Sequence, residues 1–529
     1  MRAARREFLR LAGVGLAATG LYSLRSAAEQ VKGFDVGAAL DVRTFGAAGD
    51  GRKLDTEAVN RAITAAAIGG GRVHFPPGTY LCHSIHLKSK VSLFLAQGAT
   101  IVAADPPPNP DSSPAYDLAE PNQWDQFQDF GHSHWHNSLL WGEGISDFDI
   151  SGPGLIWGKG LSRGYGEGPR AEQPGVGNKA ISLKNCHNVL LRDISILEGG
   201  HFAILATGVD NLTLDNLKID TNRDGMDIDG CRNVRISNCS VNSPWDDGIC
   251  LKSSYGLGAA RATEDVAITN CFVSGDFQMG TLLDASFKHF APDFRVPRTG
   301  RIKFGTESNA GFKNITVSNC IFDTCQGIAL ESVDGGLLED VTITNITMRD
   351  ITSAPIFMRL GSRMRGPSGV PVGQLRRVRV SNLVCSNSAS SLCSILSGIP
   401  GHEIENIALS EIYIQYRGAG TKDDASIELL EKENAYPEPK MFGTTPAYGF
   451  YVRHVKGLEM THIEVELLHP DQRPAFVLSD VRKADFTGIR APRRPDAPVF
   501  SLNDVEDFHL QQSTVGRDIH LDRVVRKKF

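Results

Sequence analysis

The sequence is short of basic charge, of long apolar runs and of sustained helical periodicity, and each shortage removes a class of protein. A formal net charge of −6 with no basic domain or stripe excludes an ordinary nucleic-acid binder, which concentrates Lys and Arg on one face. Beyond the N-terminal region no segment has eighteen consecutive apolar residues, so no membrane helix is expected in the mature chain. Asn-Gly hairpin turns are scarce, which argues against a β-sandwich. No Cys or His spacing suits a zinc site. Ten cysteines are present, yet Cys239, Cys271 and Cys320 each end the same phrase ("ISNC", "ITNC", "VSNC"). Cysteines recurring at one repeat position read as small apolar residues stacked in a core. Cys320–Cys325 and Cys385–Cys393 are left as candidate loop bridges.

The N-terminus reads differently from the rest. "ARREFLRLAGVGLAATGLYSL" carries Arg5-Arg6, then Phe8-Leu9 and a short apolar stretch broken by Gly, with Ser26 and Ala28 placed as at a cleavage site. Residues 1–28 are therefore expected to be a twin-arginine export signal, which implies a periplasmic or secreted protein. Residues 29–529 are expected to form one domain, a monomer, folded before export with its thiols reduced.

What is abundant is Gly and Asn, arranged in a recurring phrase. "NVLLRDISI" (188–196), "NLTLDNLKI" (211–219), "NVRISNCSV" (233–241) and "DVAITNCFV" (265–273) are followed by "NITVSNCIF" (314–322), "DVTITNITM" (340–348), "RVRVSNLVC" (377–385) and "NIALSEIYI" (406–414). Period-2 alternation in pieces of three or four residues, broken by Asn at a fixed offset, signals short strands turning a corner. A repeat of 20–30 residues signals a solenoid whose coils bury their inner faces only by stacking. The expected fold is all-β: a right-handed parallel β-helix of about ten coils, each rising about 4.8 Å. "TEAVNRAITAAAIGGGRVHFPPGTY" supplies one amphipathic helix, a Gly break and a strand, suited to capping the open N-terminal end. Residues 275–299 and 416–448 exceed what a turn requires, and insertions of this kind usually line a solenoid's binding face.

Against that repeat stands an acidic constellation. Asp224, in "TNRDGMDIDG", precedes Asp246-Asp247, in "PWDDGICLKS", by one coil, so stacking should gather three carboxylates on one patch. Like charges so close raise at least one pKa and supply an acid and a base from one residue type, as glycoside hydrolysis requires. Asp-Gly turn formation and calcium binding are the competing explanations. The adjacent acids followed at once by "GICLKS" favour catalysis.

These motifs, with "GRIKFGTESNAGFKNITVSNC", resemble family 28 glycoside hydrolases, the polygalacturonase family. "DVRTFGAAGDGRKLDTEAVNRAI" and "GGGRVHFPPGTYL" resemble the opening of pectin-degrading β-helix proteins, and the resemblance spans roughly residues 41–415. It implies inverting hydrolysis of pectic α-glycosidic bonds (galacturonan, rhamnogalacturonan or a related oligosaccharide), with no metal or cofactor. It implies Asp247 as general acid, Asp224 and Asp246 as activators of water, and Asn222 and Lys252 as motif residues at the substrate. Three departures stand out. Arg223 replaces the family's Thr, Gly300 falls where its active-site His should be, and Ala329 and Glu331 replace the Arg and Lys that grip a uronate. Glu331 would repel that carboxylate, which favours another pectic linkage or a neutral sugar. Arg301, Lys303, Arg359, Arg363, Arg365 and His289 are candidates to compensate, and His201, Phe202 and Trp245 are either a sugar platform or core. The rival functions are a calcium-dependent β-eliminating lyase with an Arg or Lys base and a non-catalytic carbohydrate-binding β-solenoid.

Overall fold

The computed structural model describes residues 39–110, 113–164, 173–495 and 497–529; the expected export signal at 1–28 lies outside them. No helix among the described residues is long and apolar enough to cross a membrane. The chain winds as a parallel β-helix. In consecutive coils Leu212 pairs with Val234, Val234 with Val266, Val266 with Ile315 and Ile315 with Val341, always in parallel. Along each strand the burial alternates, as in Gly311–Asp323, where Ile315, Val317 and Cys320 point into the core. Period-2 sequence patterns thus become one continuous apolar column.

The corners follow from the Asn and Asp residues that punctuate the repeat. Asn188, Asn211, Asn233, Asp265, Asn314 and Asp340 have φ between 54° and 59°, a left-handed conformation that Asn and Asp tolerate better than other residues bearing a Cβ. Their side chains also bond from coil to coil. Asn211 Nδ2 donates to Asn188 Oδ1 at 2.8 Å and Asn233 Nδ2 to Asn211 Oδ1 at 2.5 Å. At the next corner Asn345 donates to Asn319 at 2.9 Å and Asn382 to Asn345 at 2.8 Å.

Both ends of the stack are covered. The helix Thr56–Ala67 buries Ala58, Val59, Ala62, Ile63 and Ala66 against the first coils, as its amphipathic pattern predicts. At the other end the repeat phrase is recognisable in the sequence only as far as 414, whereas strands Phe450–His469, Phe476–Thr487 and Phe500–Gln511 extend the parallel stack. Phe450, Phe476, Phe500 and Phe529 stack in succession at centroid spacings of 5.6, 4.9 and 5.2 Å. These coils carry His, Asp and Lys at their corners instead of Asn, which hides them from the repeat signature. The last strand, Ile519–Lys528, runs antiparallel to Phe500–Gln511 and closes an edge that would otherwise template pairing with another chain. All ten cysteines are free and buried; the suggested Cys320–Cys325 and Cys385–Cys393 bridges are not formed. These thiols pack as core residues, and several donate weakly to strand carbonyls, as Cys239 Sγ does to Ser237 O at 3.2 Å.

The corner ladder yields a stability prediction. Asn345→Ala removes both ladder bonds and forces a Cβ-bearing residue without local hydrogen bonding to hold φ 56°, a loss of about 2 kcal/mol. Asn345→Gly, which loses the bonds but not the backbone freedom, should lose clearly less. Urea unfolding midpoints of the two variants provide the measurement.

Candidate functional site

One face of the solenoid is polar where the strands Phe202–Thr207, Asp224–Asp229, Ile249–Ser253 and Ile302–Ser308 lie side by side. The register sets Asp247 beside Asp224: Met226 pairs with Ile249, and Gly225 N donates to Asp247 O at 2.9 Å. Asp246 and Asp247 do not continue a strand. They occupy a bend that ends just before Ile249–Ser253, and Ser243 Oγ donates to the Asp246 carbonyl at 2.9 Å. Gly300 N also donates to that carbonyl, at 2.9 Å. The bend turns both carboxylates toward the same cleft as Asp224, and oxygens of the three acids lie within 4.8 Å of one another.

Gly300 explains a missing side chain. Its φ is 45°, and a Cβ there would stand 2.1 Å from Ser274 O. No His fits this backbone; the position serves to hold the Asp246 bend.

Four cations surround the acids. Arg301 Nε donates to Asp247 Oδ1 at 2.8 Å, and Lys303 Nζ lies 3.4 Å from Asp247 Oδ2. Arg223, the residue in the family's Thr position, pairs with Asp246 and lies 3.8 Å from Asp224. Lys252 Nζ lies 3.3 Å from Glu307 and 3.9 Å from Asp227. The carboxylates consequently differ in proton affinity. Burial pushes Asp224 well above the usual range, helped by Asp246 and Asp227. Burial also raises Asp246, with Asp247 adding to the effect against Arg223. Burial acts on Asp247 too, but Lys303, Arg301 and Lys252 overcome it and hold that carboxyl at about 2. Arg223, Arg301 and Lys303 already neutralise charge on this trio, which makes it a poorer calcium donor set than its oxygens alone suggest.

The cleft has a volume of ≈ 290 Å³. It is lined on its floor by Asp224, Asp246, Asp247, Lys252 and Lys303 and on its walls by Phe130, His132, His201 and Tyr436. His201 is buried; its Nδ1 bonds Arg163 O at 2.9 Å and its Nε2 faces Arg223 at 3.5 Å. Burial, Arg223 and His132 hold its pKa well below the usual value, so it is a neutral ring. Phe202 packs in a small cluster with Trp135 and Leu205 instead of facing sugar, and Trp245 meets Phe290 edge-on and carries Arg163 over its ring at 5.0 Å. Asn222 borders the site, with Oδ1 buried and unmet by any described donor.

Other candidates lie elsewhere. Arg359 is buried and is spent on Ser397 Oγ and on the carbonyls of Gly398, Glu431 and Lys432, at 2.7–3.2 Å. It anchors the 416–448 insertion and is not available to substrate. Arg363 forms a paired bond with Asp334, at 2.9 and 2.5 Å, and reaches the cleft only by lying over the outer side of Tyr436, 5.9 Å from its centroid. Arg365 bonds Asp129 at 2.6 Å. His289 pairs with Asp276 at 3.0 Å, away from the acids. Ala329 packs in an apolar cluster, and Glu331 is buried 3.7 Å from Lys303.

Residues that the sequence reading passed over complete the site. Asp129, Phe130 and His132 come from "DFGHSHWH", whose density of His and aromatics was an available signal. His132 Nε2 bonds Asp227 at 2.8 Å. Glu307 is fully buried between Lys252, His132 and Arg365. Tyr436 and Glu438 belong to the long 416–448 insertion. Glu438 meets Arg301 at 2.5 Å and Lys303 at 3.5 Å, 137 positions from Arg301 in sequence.

Residues 126–276, which contain all three acids, match the family "Glycosyl hydrolases family 28", and residues 39–103 match "Rhamnogalacturonase A/epimerase, pectate lyase-like". A probable polygalacturonase of Vitis vinifera is 22% identical over 77% of this chain and 80% of its own. The plasmin and fibronectin-binding protein A of Streptococcus pneumoniae is 29% identical over 48% of this chain and 33% of its own length. The solved family 28 exopolygalacturonase of Yersinia enterocolitica superposes with a TM-score of 0.60 at 18% identity, covering 87% of this chain and 79% of that one; at that identity the likeness concerns the fold. The chain is therefore similar to glycosyl hydrolase family 28 over residues 126–276 and to a probable polygalacturonase over most of its length.

Proposed function

We propose that the protein hydrolyses glycosidic bonds in pectin-type polysaccharide by acid/base catalysis at Asp224, Asp246 and Asp247. The observation that carries this reading is the convergence of three buried carboxylates, within 4.8 Å of one another, whose neighbours push their proton affinities in opposite directions. The polygalacturonase names of the relatives supply the substrate class. A purely binding site would have no use for like charges held this close, which weighs against an adhesin role.

The roles differ from those the family resemblance first suggested. Asp247, gripped by Arg301 and Lys303 and held at about 2, is ionised at any ordinary pH and is a poor proton donor. Asp224 and Asp246 are both raised, so this couple retains a proton. The Asp246 side chain is 27% exposed against 6% for Asp224, so it is the more accessible of the two to a leaving oxygen and is assigned as the donor. Asp224, deprotonated while its neighbour holds the proton, activates water beside the fixed anion Asp247. The inverting outcome is inferred from the family. Lys252, Lys303 and Arg301 set the field around the acids, and His201 lines the cleft as a neutral ring.

Two measurements test this reading. Asp246→Asn and Asp247→Asn should each lower reducing-sugar release from rhamnogalacturonan or homogalacturonan on the order of 100- to 10,000-fold, with circular dichroism unchanged. Only Asp246→Asn should retain substantial hydrolysis of a p-nitrophenyl glycoside, whose leaving group needs no proton. Unimpaired polymer hydrolysis by Asp247→Asn would sink the assignment.

A pH dependence follows from the same buried acids. Burial raises Glu331 to about 7 and Asp220 and Asp229 to about 6. Folded pKa values above unfolded ones mean that the folded chain binds more protons, so stability falls as pH rises from about 4 through 7. The thermal midpoint should decline between pH 5 and 8, and Glu331→Gln should flatten part of that decline. A Glu331→Gln profile as steep as wild type would rule out this residue as a contributor.

A further inference from the structure

The cleft is a dead end along the solenoid axis. On the N-terminal side Phe130 packs on His201 at 4.9 Å and His132 on Phe202 at 4.7 Å. On the C-terminal side Tyr436 stands over Lys303, with the nitrogen 5.6 Å from the ring centroid, and its hydroxyl accepts from Thr306 at 2.9 Å. The backbone between these walls spans three strand spacings, about 14 Å, before side chains narrow it. Within ≈ 290 Å³ there is room for a sugar ring and its immediate neighbour, not for a polymer passing through. One rim is also tied shut, because Arg365 reaches from the 361–373 loop to Asp129 at 2.6 Å and Phe127 O at 3.0 Å. Of the three acids Asp246 is the most exposed, at 27% against 6% for Asp224 and 5% for Asp247.

Every cation of this pocket already has an acidic partner. Arg223, Lys252, Arg301 and Lys303 each have a carboxylate within 4.0 Å. Together they face Asp224, Asp227, Asp246, Asp247, Glu307, Glu331 and Glu438, so acids outnumber cations. A substrate carboxylate entering here must displace a buried anion from its cation, at the cost of leaving that anion unpaired; sugar hydroxyls carry no such penalty. Glu438 matters most, because it spans Arg301 and Lys303, the cations that a uronate would otherwise recruit.

We propose that the site accepts a chain-terminal sugar without a carboxylate, so that the protein trims uncharged residues from the end of a pectic chain, with the 416–448 insertion as both end wall and charge filter. This rests on the hydrolase reading above. The bond broken is the terminal glycosidic bond; water adds its hydroxyl to the released sugar, and its proton replaces the one donated to the leaving oxygen.

The test is product analysis of the full-length protein on rhamnogalacturonan and homogalacturonan, by anion-exchange chromatography with viscometry. An uncharged monosaccharide should be the first product from rhamnogalacturonan, released with almost no fall in viscosity, and homogalacturonan should yield little galacturonic acid. Glu438→Gln should raise galacturonic acid release from homogalacturonan by about tenfold or more, the size of one charge-assisted hydrogen bond made available to substrate. Tyr436→Ala should begin to release oligosaccharides. Galacturonic acid or oligosaccharides as the first wild-type products would overturn the proposal while leaving the hydrolase reading intact. Failure to release sugar from either polymer would overturn both. The wild-type product profile decides the matter even where a variant does not fold.

Discussion

The in-register hydrogen bonding of one coil on the next is the constraint on which everything else depends. Parallel pairing of Met226 with Ile249 and of Ile249 with Ile302 fixes not only the core column but also the neighbours of every side chain just before those strands. Asp224, Asp247 and Gly300 stand in successive coils at equivalent positions. A slip of one residue in any pair would turn the core set outward, so the apolar column holds the acids in place at no separate cost.

Within that frame the site is an ionic lattice more than a row of independent residues. Asp247 bonds Arg301, Arg301 bonds Glu438, Glu438 approaches Lys303, and Lys303 returns to Asp247. Buried charges of this kind are tolerable only when each has a partner. The lattice separates the proton affinities of chemically identical side chains: contact with two cations keeps Asp247 ionised, while burial and neighbouring acids raise both Asp224 and Asp246, the couple that retains a proton. Arg223 and Gly300 belong to the same arrangement. One pairs with Asp246 where the family has Thr, and the other holds the Asp246 bend where a His cannot fit.

The parts that were legible from sequence are those that repeat or sit close together. Asn188, Asn211 and Asn233 advertise their corners because only a few residue types settle at positive φ. The coils after residue 450 were missed because His454, Asp480 and Asp504 take over those corners and blur the phrase. Arg359 and Arg363 looked like free cations just past a strand. Their partners, the 431–432 carbonyls and Asp334, come from segments that the local pattern does not join to them.

By itself the sequence determined the solenoid, its capping helix and the cluster of Asp224 with Asp246 and Asp247. Each of these is set by short-range periodicity or by a spacing of one coil. Only the tertiary structure decided which acid keeps a proton, which cations are already neutralised, and where the cleft ends. Those properties depend on Coulomb interactions and packing between segments such as 127–132, 301–307 and 436–438. Their proximity is imposed by the folded path of the chain, and no local pattern encodes it.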